Sequence, residues 1–498
     1  MTQAFGLSAT ARAALLGRLS ALREAAEQDA AFGPVLGLAP GRDLATLPGA
    51  AEIGMVREAG EALGLENPYF RPHEGVAGAR TVIGGREYLN FASYNYLGLN
   101  GDPRVAAAAK AAIDRHGVSA SASRLASGER PVHAALEAAL AAHHGTEAAL
   151  AFVSGHATNV TVIGHLLGPR DLVLHDALIH NSVAEGARLS GARRIAFTHN
   201  DWAATERDLT AHRTRHGRVL LVVEGHYSMD GDLPDLARFV ELARRHDTLL
   251  MVDEAHALGV VGATGRGIAE HCGVDPAAVD IWMGTLSKTL SACGGYIAGR
   301  RALVDVLRHA APGFVYSVGL APPLAAAALE SLRILHAEPW RVAALQANAA
   351  RFLRLAREAG FDAGHSAGLG IVPVILGSSV QAARLAAALF ERGVNVQPIL
   401  FPVVPERSAR LRFFLSAEHT PAEVDQAVAA MREAAFPGLP QLLPAGGGPE
   451  GAPCGGGARG GGGGSVTSVA ARLPSSVEPP RPSSTVRFST MPEIPSSQ

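Results

Sequence analysis

Short apolar runs alternate with segments of helical period through the middle of the chain. Arg218-Val-Leu-Leu-Val-Val223, Thr248-Leu-Leu-Met-Val252 and Asp280-Ile-Trp-Met283 carry almost no polar residue. Between the first two, Leu236 to Arg245 repeats its apolar positions at helical spacing, flanked by charge. Strands without polar alternation are buried on both faces, and strands joined through helices form a parallel sheet. The pattern therefore predicts an α/β fold, with ligands at the carboxyl ends of the strands. Glu224, Asp253 and the Thr285 to Lys288 turn each stand at such an end.

The two ends of the chain read differently. Residues 8 to 30 have the Ala/Leu/Arg pattern of a helix, followed by a Gly/Pro-punctuated linker to about residue 65. From Gly438 onward the glycine runs Gly455 to Gly457 and Gly460 to Gly464 and the Ser/Pro clusters cannot bury enough apolar surface to offset chain entropy, so disorder is expected. The expected organisation is 1–65 helix and linker, 66–330 arm and large domain, 331–437 small domain, 438–498 tail. Ala310 to Leu329 is uncharged and long enough to span a bilayer, but Pro312, Pro322 and Pro323 make it a buried loop and helix start.

Composition narrows the function classes. The 498 residues hold 44 Lys+Arg against 46 Asp+Glu, so no global field attracts nucleic acid or an anionic membrane. Cys272, Cys293 and Cys454 lack metal-ligand spacing, which fits a reducing, cytoplasmic setting and no metal site. Arg12, Arg18 and Arg23 precede the first acid, Glu24, which leaves room for an organelle transit peptide beside a plain amphipathic helix.

Lys288 and Asp253 carry the chemistry. A lysine amine forms an imine with the aldehyde of pyridoxal phosphate, and a buried carboxylate keeps the pyridine nitrogen protonated, so the ring can draw in electrons. Asp253 alone could cap a helix; His256, three residues later, could reach the cofactor's phenolic oxygen. Ser154-Gly155-His156 follows an apolar run and opens a helix, so the amides of Gly155 and His156 suit a phosphate, with Thr285 adding a hydroxyl. His180 could stack on the cofactor ring or be a satisfied core histidine. Ser228 is a hydroxyl near a strand end or simply part of a turn. Arg412, in an alternating strand, could clamp a carboxylate bidentately or sit in a surface ion pair.

The order of motifs resembles the α-oxoamine synthase family of fold-type-I pyridoxal phosphate enzymes. The similarity runs from about Asn67 to Phe436 and includes Asn90-Phe-Ala-Ser-Tyr-Asn-Tyr-Leu-Gly-Leu99, Ser123 to Gly128 with His133, and Asp176 to Ser182. It continues through Tyr227 to Asp232, Asp253 to Gly259, Thr285 to Lys288, and Ala409 to Thr420. The resemblance implies a large domain with a mainly parallel sheet and a smaller C-terminal α/β domain. It implies a homodimer with shared active sites, in which Phe314 to Leu320 of one subunit approaches the other's cofactor phosphate. It makes Lys288 the cofactor-binding lysine and Asp253 the ring-nitrogen partner. His256 and Ser228 would contact the phenolic oxygen, His180 would stack, and Thr285 with the partner subunit's Ser317 would bind phosphate. Asn95 and Arg412 would hold the amino-acid carboxylate.

The implied reaction is a decarboxylative condensation of glycine, alanine or serine with an acyl thioester. Serine-rich Gly117 to Arg124 and Gly128-Glu-Arg-Pro131 look closer to members serving lipid or polyketide pathways, which points to a long acyl group or one borne on an acyl carrier protein. Transamination or simple decarboxylation on the same fold is the alternative reading. A non-catalytic partner subunit is disfavoured because Lys288, Asp253 and His256 are all present.

Overall fold

The computed structural model describes Leu44 and residues 47–435. The helix expected over residues 8 to 30, the basic N-terminal segment and the tail from Gly438 lie outside the described residues. Within the expected linker, Ala50–Ala62 forms a helix. Its alanines, glutamates and Met55 are good helix formers, and Gly54 and Gly60 break the periodicity that would have revealed it.

Thirteen strands are described: β1 (Arg80–Ile83), β2 (Arg86–Asn90), β3 (Ala148–Phe152), β4 (Leu172–Asp176), β5 (Arg193–Phe197), β6 (Val219–Glu224), β7 (Leu249–Asp253), β8 (Ile281–Thr285), β9 (Gly295–Gly299), β10 (Ile371–Ile375), β11 (Val394–Asn395), β12 (Gln397–Ile399) and β13 (Arg410–Phe414). Seven form the central sheet in the order β3-β9-β8-β7-β6-β4-β5. The pairs from β8 through β5 are parallel, and β9 runs antiparallel to both β3 and β8.

Both faces of this sheet are covered. Leu150, Val173, Leu220, Val222, Met251 and Ile297 pack on one side with Val162, Ile163 and Val183 from helices. Leu172, Leu174, Leu221, Val223, Leu250 and Val252 pack on the other. Each such side chain contributes roughly 1.5–3 kcal/mol on burial. The strands are thereby a stiff floor, and the loops at their carboxyl ends are where side chains are free to serve a ligand.

The remaining strands tie the chain's two halves together. β10, β13 and β12 form an antiparallel sheet, while the β1–β2 hairpin takes β11 alongside β2 in parallel. The arm after β2 is held by that region: Phe414 N donates to Phe91 O at 2.9 Å, and Ser416 Oγ donates to Asn95 O at 2.8 Å. The uncharged Ala310–Leu329 stretch becomes the short helix Pro312–Val315, a loop and the start of helix Pro322–Ala337. No described helix is long and apolar enough to cross a membrane.

Candidate active site

Loops after β3, β4, β6, β7 and β8 converge on one cavity of about 220 Å³. Its wall includes Gly155, His156, Asn159, His180, Ser182, Glu224, Ser228, Asp253, His256, Thr285, Ser287 and Lys288. Helix Gly155–Leu166 starts here, capped by Ser154, whose Oγ accepts from Ala157 N at 3.4 Å. The amides of Gly155 and His156 belong to the first turn, where no intrahelical acceptor exists and the helix dipole favours an anion. A Cβ at position 155 would stand 2.8 Å from Thr285 Oγ1, so only glycine lets this helix end approach the β8 hydroxyl. Thr285 Oγ1 itself donates to Gly294 O at 3.0 Å and accepts from Ser287 N at 3.2 Å.

Asp253 ends β7, buried, beside the equally buried Glu224 of β6, with which it is in register. Its carboxylate accepts from Asn159 Nδ2 at 3.0 Å and from Ala255 N at 2.9 Å. Glu224 accepts from two backbone amides, His180 N and Ser228 N, both at 2.8 Å. Burial, reinforced by the Asp253 charge, pushes the Glu224 carboxyl up to about 8. Behind the same two loops, His199 bridges Asp176 at 2.8 Å and Asp232 at 3.2 Å. Burial opposes a charge there, but the bonds to both carboxylates prevail and raise that imidazole to about 10.

The Lys288 side chain is half-buried, its amine 5.5 Å from the centre of the Tyr94 ring. Burial lowers the amine's pKa below the ordinary lysine range, against the opposing pull of Asp253 and Glu224. His256 lies with Nδ1 2.7 Å from Tyr96 Oη and its ring parallel to Phe414. Burial first, then the charges of Lys288 and Arg412, hold it well below the usual histidine value, so it stays neutral. The His180 and His156 rings stand 6.3 Å apart at a steep angle on the cavity wall.

Three expected residues lie elsewhere. Half-buried Arg412 on β13 donates from Nη1 to Ser228 O at 2.8 Å, and its Nε is buried with no partner. Asn95 is outside the cavity wall and its amide is occupied: Nδ2 donates to Ala77 O, and Oδ1 accepts from Asn100 N. The Asn100 bond closes its own turn, and the Ala77 bond ties that turn to the segment before β1. Ser317 lines a separate hollow with Arg124 and Gly319, next to Tyr316, which is 86% exposed. Asn159, Ser182, Ser287 and Tyr96 were not singled out from sequence. The usable signal was position: Asn159 lies one turn into the helix that opens at Ser154, and Ser182 follows His180 at the next helix start.

The donor set fits pyridoxal phosphate. Helix amides and hydroxyls are available to a phosphate, a hydrogen-bonded carboxylate to a pyridine N–H, and an amine of lowered basicity to an aldehyde. Fold and site together define a pyridoxal-phosphate-dependent transferase. The model of aminotransferase class I and II matches residues 86–431. The 8-amino-7-oxononanoate synthase of Anaeromyxobacter sp. strain K is 44% identical over 392 residues, covering 79% of this chain and 97% of that protein. The structure of serine palmitoyltransferase from Sphingomonas wittichii superposes with a TM-score of 0.75 at 34% identity, over 79% of this chain and 98% of that one. A serine palmitoyltransferase structure carrying pyridoxal phosphate matches at 0.74 and 30% identity, with 79% and 98% coverage. The chain belongs to the α-oxoamine synthase family of pyridoxal-phosphate-dependent acyltransferases.

Proposed function

We propose that the chain condenses alanine with an acyl thioester, releasing carbon dioxide and the thiol and leaving an α-amino ketone. The observation that carries this reading is the cavity that gathers Lys288, Asp253 and a helix-end anion site, with an arginine guanidinium nearby whose Nε lacks a partner. The name of the oxononanoate synthases describes a product with a methyl beside the amino carbon, which is the skeleton alanine leaves after decarboxylation. Greater identity to those enzymes, 44% against 34% for the serine enzyme, favours alanine over serine here.

Bound pyridoxal phosphate supplies an electron sink for negative charge at the amino acid's α carbon. Gly155, His156 and Thr285 would hold the phosphate, Asp253 would pair with the ring nitrogen, and His256 and Ser228 would serve the phenolic oxygen. His180 would cover one face of the ring. Arg412 takes the substrate carboxylate with its partnerless edge. Lys288 would be the residue that holds the aldehyde, and its Nζ would accept the α proton; its lowered pKa makes the neutral amine available nearer pH 7.

We also read the enzyme as a cytoplasmic homodimer, with Ser317 of the partner subunit completing the phosphate site. The exposed Tyr316 and Val318 beside Ser317 support this. The acyl group arrives on coenzyme A or on an acyl carrier protein. The test mixes the protein and cofactor with glycine, alanine or serine and a panel of both thioester types, and detects the amino ketone by mass. Alanine-dependent thioester consumption with carbon dioxide release is expected. Amino transfer to a keto acid, or carbon dioxide without thioester loss, would replace this reading by transamination or simple decarboxylation.

A further inference from the structure

Four side chains at the cavity form one unbroken hydrogen-bonded line from Asp253 to His180. Asn159 Nδ2 stands 3.0 Å from Asp253 Oδ2 and 2.9 Å from Ser182 Oγ. Ser182 Oγ lies 2.7 Å from His180 Nδ1, and the Ser182 backbone N–H donates to that same Nδ1 at 3.3 Å.

The polarity of this line is fixed from one end. An ionised carboxylate only accepts, so the Asn159 amide must turn its NH2 toward Asp253, although this leaves Oδ1 buried without a partner. The second Nδ2 hydrogen then goes to Ser182 Oγ. That hydroxyl has its own proton left to give, and His180 Nδ1 is within reach. A main-chain N–H can only donate, so Nδ1 is an acceptor from two sides. The neutral ring must therefore carry its hydrogen on Nε2.

We propose that Asn159 and Ser182 are positioning residues that hold His180 as the neutral Nε2–H tautomer while aiming Asp253 at the cofactor's ring nitrogen. The Asp253 half rests on the functional reading above; the His180 half stands on the hydrogen-bond line alone. The charged and titratable groups facing His180 are Asp253, Lys288, His156 and Arg412, and Glu224 holds its backbone amide. Burial dominates among them and lowers the ring's pKa. A neutral ring adds no positive charge beside Lys288, and its Nε2–H is left to donate to an oxygen in the cavity.

The experiment is nitrogen NMR on the full chain labelled with 15N-histidine, with and without pyridoxal phosphate. The His180 signal is the one lost in His180→Gln. In the cofactor-free protein near neutral pH, Nδ1 should resonate as unprotonated and Nε2 as protonated; the opposite pattern overturns the proposal. Ser182→Ala removes a donor to the neutral ring, so His180 should titrate about half to one pH unit higher, and Ser182→Thr should restore the original value. An unchanged titration in Ser182→Ala overturns it equally. Asn159→Ala should release the cofactor about tenfold more readily; unchanged retention removes the Asp253 half. The ring state is read before cofactor is added. A protein with the expected tautomer that binds no pyridoxal phosphate would therefore sink the functional reading and leave the tautomer assignment standing.

Discussion

The cavity rests on the β6–β8 strand ends, while β13 lies behind its Ser228 turn, and these two sides of the site are finished to different degrees. On the sheet side, Asp253, Glu224 and Thr285 have their polar atoms engaged at 2.8–3.2 Å. On the β13 side, Arg412 spends one nitrogen on Ser228 O and keeps Nε buried and unpartnered. On the proposed reading a cofactor stays through every turnover, so the side that would hold it can be wired permanently. A substrate comes and goes, so its partner must be left incomplete until it arrives, at the cost of an unsatisfied donor.

The largest test of this contrast is Lys288→Ala. Turnover should drop by at least about 10⁴-fold, with the thermal midpoint nearly unchanged because no hydrogen bond or ion pair of the Lys288 side chain is found among the described residues. Retained turnover would remove the sheet side from the chemistry. Arg412→Ala comes next: kcat/KM for the amino acid should fall about 10²–10³-fold, while KM for the thioester stays put. Arg412→Lys should recover only part of it, since an ammonium cannot make the bidentate fork. Equal losses for both substrates would mean that Arg412 supports the fold rather than the carboxylate.

Gly231 tests the joint between the two sides. It has φ +69°, its O accepts from Ala367 N at 2.8 Å, and a Cβ there would collide with Ile371 O. Gly231→Ala should destabilise by about 2–4 kcal/mol in urea unfolding and loosen the Ser228 turn. A neutral effect would show that the joint yields freely.

The smallest effect concerns Glu254, behind the sheet side. Burial pushes its carboxyl up to about 8, as it does that of Glu224. A raised acid pKa means that the folded chain binds the extra proton. This contribution is complete below the unfolded value near 4.5 and is lost as pH climbs through about 8. Glu254→Gln, neutral throughout, should therefore gain on the wild type by on the order of 2 kcal/mol between about pH 5 and about pH 8. Parallel stability curves would mean that Glu254 is charged in the fold.

Much of this was readable in the chain. Unbroken apolar runs identified β6, β7 and β8, because strands buried on both faces have no polar alternation to hide them. Glu224, Asp253 and Lys288 followed from being next to those runs. The antiparallel β9 was not legible, since its glycines and small residues follow Lys288 like a loop. Asn159 and Ser182 were missed because their role lies in what they touch across three elements, and no local spacing encodes that. Asn95 sat inside a strong motif, yet its amide is consumed by its own turn and by the Ala77 carbonyl. A motif reveals that a residue matters, not which of its bonds are already spent.

Glu224 grips main-chain nitrogens at 180 and 228, not the side chains there. Exchanging the imidazole or the hydroxyl therefore leaves both Glu224 bonds standing, although the imidazole's own cap on Ser182 N is lost. Such an arrangement lets reactivity drift by point substitution while the chassis survives, and it marks 180 and 228 as the positions where a redesign of this enzyme should begin.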